Sequence, residues 1–113
     1  MGGVALDNIA GLMFVSDPGN QRVQIFTFSG GAPVYSATLG VTGVSGSDNL
    51  HFNQPGRLAV DSTGRLYVAD SNNNRIQRCT LSGTWNCATF LAGLGFPTAI
   101  AVDSSNILHH WER

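Results

Sequence analysis

One block of sequence occurs in this chain twice and begins a third time. Val4-Ala5-Leu6-Asp7, Leu12-Met13-Phe14-Val15-Ser16-Asp17 and Arg22-Val23-Gln24-Ile25-Phe26 return in the same order as Leu58-Ala59-Val60-Asp61, Leu66-Tyr67-Val68-Ala69-Asp70 and Arg75-Ile76-Gln77-Arg78-Cys79. Ile100-Ala101-Val102-Asp103 opens a further copy. A repeat of roughly 40 to 55 residues built from short strand-forming runs describes stacked β-sheet blades, because a single unit of this kind cannot bury its own apolar faces.

Within the better-preserved unit, β-formers over 58–60, 65–69, 75–80 and 85–91 are separated by turn-forming stretches, which predicts four antiparallel strands. The first unit repeats the order over 3–6, 12–16, 22–28 and 34–39, and the third shows strands only over 99–102 and 107–111. The expected fold is all-β, with two full four-stranded blades and half of a third. It divides as blade 1 over 1–40, an inter-blade loop over 41–56, blade 2 over 57–97 and the first strands of blade 3 over 98–113. The Gly- and Ser-rich connection before blade 2 reads as a surface loop, and Ser29-Gly30-Gly31 and Ser82-Gly83-Thr84 read as loop tips. Because Val4 already lies inside a repeat, Met1 reads as the edge of a fragment or of a processed chain. Third strands carry apolar residues at Val23, Ile25, Phe26 and Phe28, a pattern that predicts burial on both sheet faces rather than one.

Composition narrows the partners. The chain has 113 residues, 42% of them hydrophobic and only 12% charged, with a formal net charge of −1. That balance supplies no basic field for tracking nucleic-acid phosphates. No stretch reaches the ~18 consecutive apolar residues of a membrane span.

Phe52-Asn53-Gln54-Pro55-Gly56-Arg57-Leu58-Ala59-Val60-Asp61-Ser62-Thr63-Gly64-Arg65-Leu66-Tyr67-Val68-Ala69-Asp70-Ser71-Asn72-Asn73-Asn74-Arg75-Ile76-Gln77 closely resembles an NHL repeat. The Pro before the first strand, the Asp-x-x-Gly turn, the Tyr-Val-Ala-Asp strand end and the Asn-x-Arg-Ile run all stand in order. The first unit resembles the same repeat less closely. The third departs after Leu108, where His109, His110, Trp111 and Glu112 replace Tyr67, Val68, Ala69 and Asp70. The resemblance implies blades of a β-propeller. Relatives commonly close rings of six blades and so hide their sheet edges; this chain, with fewer, is expected to be part of a longer propeller or to associate with copies of itself.

Candidate functional residues carry competing readings. Asp17 and Arg22, like Asp70 and Arg75, stand five apart across a turn; a carboxylate receiving the next strand's guanidinium would pin that turn in each blade. The alternative makes them a repeated ligand-binding pair. Cys79 and Cys87 fall opposite each other across the hairpin centred on Gly83, which suits a disulfide and an oxidising, extracytoplasmic setting. A zinc site from two cysteines alone is incomplete. His51, His109 and His110 raise a metal hypothesis, but adjacent strand residues point to opposite faces, so His109 and His110 are not expected to share an ion. Gln21, His51, Asn53, Asn72, Asn73 and Asn74 are candidate rim contacts, and Tyr35 and Trp85 candidate contact residues on outer strands. No Gly-x-Ser-x-Gly elbow marks a serine nucleophile.

These features favour a non-catalytic protein-interaction or self-assembly module, a ring or filament subunit, with no cofactor. Its expected partners are copies of itself or the remaining blades of a longer propeller, in an extracellular setting, without nucleic acid or a membrane span. The rival is a fragment of an NHL-like propeller enzyme of lyase or lactonase type.

Overall fold

The computed structural model describes residues 2–28 and 30–113. Met1, and Ser29 of the expected Ser29-Gly30-Gly31 tip, lie outside the described residues. The first sheet joins β1 (Val4–Asp7), β2 (Leu12–Asp17), β3 (Arg22–Thr27) and β4 (Val34–Gly40) in chain order. The second joins β5 (Pro55–Val60), β6 (Leu66–Asp70), β7 (Arg75–Ser82) and β8 (Thr84–Leu91) in the same way, and β9 (Pro97–Val102) pairs with β10 (Leu108–Glu112). Every pairing is antiparallel. Two 3-10 turns, Pro18–Asn20 and Ser71–Asn73, link second to third strands. β5 starts at Pro55, and its ladder to β6 is interrupted between Pro55 and Leu58.

The repeat extends to register. Val4 opposite Val15, Leu6 opposite Met13 and Met13 opposite Phe26 correspond to Leu58 opposite Val68, Val60 opposite Leu66 and Leu66 opposite Cys79. The first turns of the three units also share a device: Gly11, Gly64 and Asn106 all hold a left-handed backbone, which a glycine or asparagine adopts at least cost.

The sheets stack face to face, with β5 against β1 and β2 on one side and against β9 on the other. Phe14, Val23, Ile25 and Leu39 of the first blade meet Leu58, Leu66, Val68 and Cys79 of the second, and together they form the core. Phe52 joins them from the connection between the blades and is 2% exposed. That connection is therefore more than a surface loop, since one side chain in it fills the space between two sheets.

Two-sided burial holds for the central blade, where β6 is buried along its whole length. It fails for β3: Val23 and Ile25 are fully buried, while Phe26 and Phe28 remain partly exposed. The reason is the stacking order. Blade 1 has a neighbour on one face only among the described residues, so half of its apolar pattern has nothing to pack on.

Candidate functional site

The strand-end pairs are ion pairs. Arg22 Nε lies 3.0 Å from Asp17 Oδ2 and Arg75 Nε lies 2.8 Å from Asp70 Oδ2. Their surroundings differ. Arg75 is 6% exposed and donates through its terminal nitrogens to the carbonyls of Ser47, Asp48 and His51, so it holds the chain that leads into its own blade. Asp70 accepts from the Asn53 N–H and from Asn73 Nδ2. In blade 1 the guanidinium of Arg22 has, besides Asp17, only the hydroxyl of Thr42 at 3.4 Å among the described residues. The Asn20 amide hydrogen bond and the neighbouring Arg22 lower the pKa of Asp17.

Two of the candidate rim residues, Gln21 and Asn74, hold one blade to the next. Gln21 and Asn74 both take a left-handed backbone, with φ of 59° and 53°. The side-chain oxygen of Gln21 accepts the N–H of Gln54 at 2.7 Å, and that of Asn74 accepts the N–H of Phe96 at 3.0 Å. Gln54 and Phe96 are themselves left-handed and each precedes the proline that starts the next blade. Asn72 bonds to Asn53 by main chain and side chain, Asn73 reaches the Gly46 carbonyl, and the His51 ring meets Asp48 at 2.6 Å. Most of the polar atoms of this set are thus engaged within the molecule.

Sequence reading gave Asp61 only a turn role, but its buried carboxylate organises a hydrogen-bond network. Its carboxylate accepts from the N–H and hydroxyl of Thr63, from the N–H and Nε of Arg65, and from the Tyr67 hydroxyl at 3.0 Å. Burial alone would raise its pKa; the hydrogen bonds from Thr63, Arg65 and Tyr67 outweigh it and hold it at about 2. Asp103 repeats the arrangement, accepting from the N–H groups of Ser105 and Ile107 and meeting His109 Nε2 at 2.9 Å. His109 occupies the position of Tyr67 and does the same work. Its neighbour His110 has the opposite burial, half-covered where His109 is exposed. Among the described residues no three His, Cys, Asp or Glu side chains converge as metal ligands would.

Cys79 and Cys87 are joined by a disulfide, with Cα atoms 4.0 Å apart. They are register partners, as are Phe26 and Tyr35 at the equivalent place in blade 1, whose rings meet edge to face at 6.3 Å. An aromatic pair in one blade is a covalent bond in the next. Trp85 is half-buried and packs edge to face on Phe14 at 5.6 Å, whereas Tyr35 is 56% exposed.

These positions add up to one surface. The outer face of blade 1 presents Val4, Leu6, Met13, Val15, Phe26 and Tyr35, with Gln24 and Thr38 hydrogen-bonded among them. Val4 and Leu6 are 61% and 52% exposed. In blade 2 the equivalent positions, Leu58, Val60, Leu66, Val68, Cys79, Cys87 and Gln77, form the face that packs on blade 1. The open face therefore has the residue pattern of a packed inter-blade face.

Comparison with known proteins agrees with this architecture. Residues 52–79, spanning β5, β6 and most of β7, match the family model of the NHL repeat. Among solved structures the chain is similar to one described as "Crystal structure of Nidogen/Laminin Complex", with a TM-score of 0.69 and 21% sequence identity over 97% of this chain. The similarity covers 38% of that longer chain. No curated protein matches the chain in sequence. The fold is that of a partial β-propeller, two four-stranded blades and a hairpin that do not close into a ring.

Proposed function

From an NHL repeat set in open propeller blades, we propose that this chain is a non-catalytic protein-interaction module whose outer blade-1 face receives a blade from a second copy. The observation that carries this reading is the exposed face itself, which matches position for position the face that blade 2 buries against blade 1. Its natural complement has the character of Phe14, Val23, Ile25 and Leu39, which fill that role inside the molecule. Arg22 borders this face and, besides Asp17, meets only the Thr42 hydroxyl among the described residues. At the other end of the stack, Trp111 is 71% exposed and Phe90 40% exposed. Copies joined head to tail through these two ends form a ring if the rotation closes and a filament otherwise.

The neighbouring structure in the comparison is a complex between two proteins, which supports a protein partner for this chain. The disulfide supports an extracellular or otherwise extracytoplasmic setting, where such bonds persist. Sedimentation velocity over a concentration series tests the proposal. The chain is expected to associate as concentration rises, and Leu6→Asp with Tyr35→Asp to keep it monomeric while leaving its circular dichroism unchanged. A parent chain that stays monomeric into the high micromolar range overturns self-association.

A further inference from the structure

Every cation of this chain is an arginine, and their partners divide them sharply. Arg22, Arg65 and Arg75 pair with Asp17, Asp61 and Asp70, and Arg78 lies over the Phe90 ring at 4.9 Å. Arg57 and Arg113 have no carboxylate partner among the described residues. Both line the same cleft of about 490 Å³, together with Gln54, Asn72, Phe96 and Thr98, and no acidic side chain lines it.

The cleft is built by the fold. Arg57 sits in the irregular stretch of β5 between Pro55 and Leu58, and a break in the ladder re-aims a side chain away from the sheet. Phe96 is held in a left-handed backbone by its N–H bond to Asn74, and the Arg113 guanidinium lies 4.2 Å from the centre of its ring. Stacking on an aromatic face holds a guanidinium in place while leaving its fork of donors free. The two strands that flank the cleft, β5 and β9, each pair on one side only, so they are sheet edges.

We propose that this cleft binds an acidic peptide segment of a protein partner, with Arg57 and Arg113 taking its carboxylates. Two planar forks suit paired carboxylates through bidentate hydrogen bonds. The side-chain amide of Asn72 and the hydroxyl of Thr98 add neutral donors at the rim, and an extended segment finds main-chain partners along a strand edge. Nucleic acid is the poorer occupant, because two cations in a chain of net charge −1 neutralise too few phosphates. This site rests on the protein-binding reading but lies apart from the outer blade-1 face that is proposed to receive a second copy.

The test uses a fluorescein-labelled peptide of alternating Glu and Ser, its Gln-for-Glu counterpart, and the Leu6→Asp/Tyr35→Asp chain, so that a failure of self-association leaves the readout intact. The Glu peptide is expected to bind and the Gln peptide not to. Arg57→Gln is expected to weaken binding about tenfold, the loss typical of a charged hydrogen-bond partner, and Arg57→Gln/Arg113→Gln to abolish it. If the double variant disturbs β9 and β10, Arg57→Gln on the central blade decides alone. Undiminished binding by Arg57→Gln, equal affinity for both peptides, or displacement of the Glu peptide by single-stranded RNA or inorganic phosphate at comparable concentration each overturns the proposal.

Discussion

A carboxylate with a side chain fully shielded from solvent is costly unless its lone pairs are filled, and at Asp61 they are filled by Thr63, Arg65 and Tyr67. Its pKa in the folded chain, about 2, lies below the ordinary 3.8. A depressed carboxylate stabilises the fold fully above its unfolded value and loses that contribution as pH falls through the folded one. Asp61 is therefore expected to contribute about 2 kcal/mol at neutral pH, lost between roughly pH 4 and pH 2. Urea denaturation of Asp61→Asn across that range checks it: the gap between variant and parent should be present at pH 7 and close toward pH 2. Tyr67→Phe removes one donor to this carboxylate and is expected to cost about 1.5 to 2 kcal/mol by the same assay. The Asp-x-x-Gly spacing made the turn legible. The Tyr67 contribution depends on two strands meeting on one face; it returns in the third unit as His109 on Asp103 but not in the first, where Phe14 stands at that position without a donor.

At the scale of the element, the β7–β8 hairpin is tied by a bond that closes a loop with a sequence separation of 8. Loop-closure entropy for so short a ring gives about 2.5 kcal/mol of stabilisation, chiefly through the unfolded chain. Cys79→Ser/Cys87→Ser is expected to lower the urea midpoint by a corresponding amount, and a reducing agent to do the same to the parent. The cysteines' positions opposite each other followed from counting residues across a turn, which is local information. The left-handed backbone of Gln21, Gln54 and Phe96 was not legible, because no residue type there favours it, whereas Asn74 is a type that adopts it readily. The N–H groups of Gln54 and Phe96 are held by side-chain acceptors of the preceding blade, Gln21 and Asn74, whose own N–H groups close the 3-10 turns onto the Pro18 and Ser71 carbonyls.

Across the whole molecule, Phe52 is the side chain that makes two blades one body. It is 2% exposed and sits between sheets that have no strand in common. Phe52→Ala is expected to cost about 3 to 5 kcal/mol, the range for emptying a large aromatic site. Gly40 is its seat: a Cβ there would lie 2.9 Å from the Phe52 ring and 2.7 Å from the Gln21 carbonyl, and the backbone φ is +86°. Gly40→Ala should therefore destabilise the chain as well, and both variants should show earlier thermal unfolding by near-ultraviolet circular dichroism.

Strand order, blade number and the pairing of Asp17 with Arg22 and of Asp70 with Arg75 were written in the sequence, because each depends on residues within a few positions of one another and the repeat states them twice. Which faces are covered was decided in three dimensions. The same apolar pattern is buried at Leu66 and Val68 and half open at Met13 and Val15, since burial is set by the presence of a neighbouring sheet rather than by the residues that would welcome one.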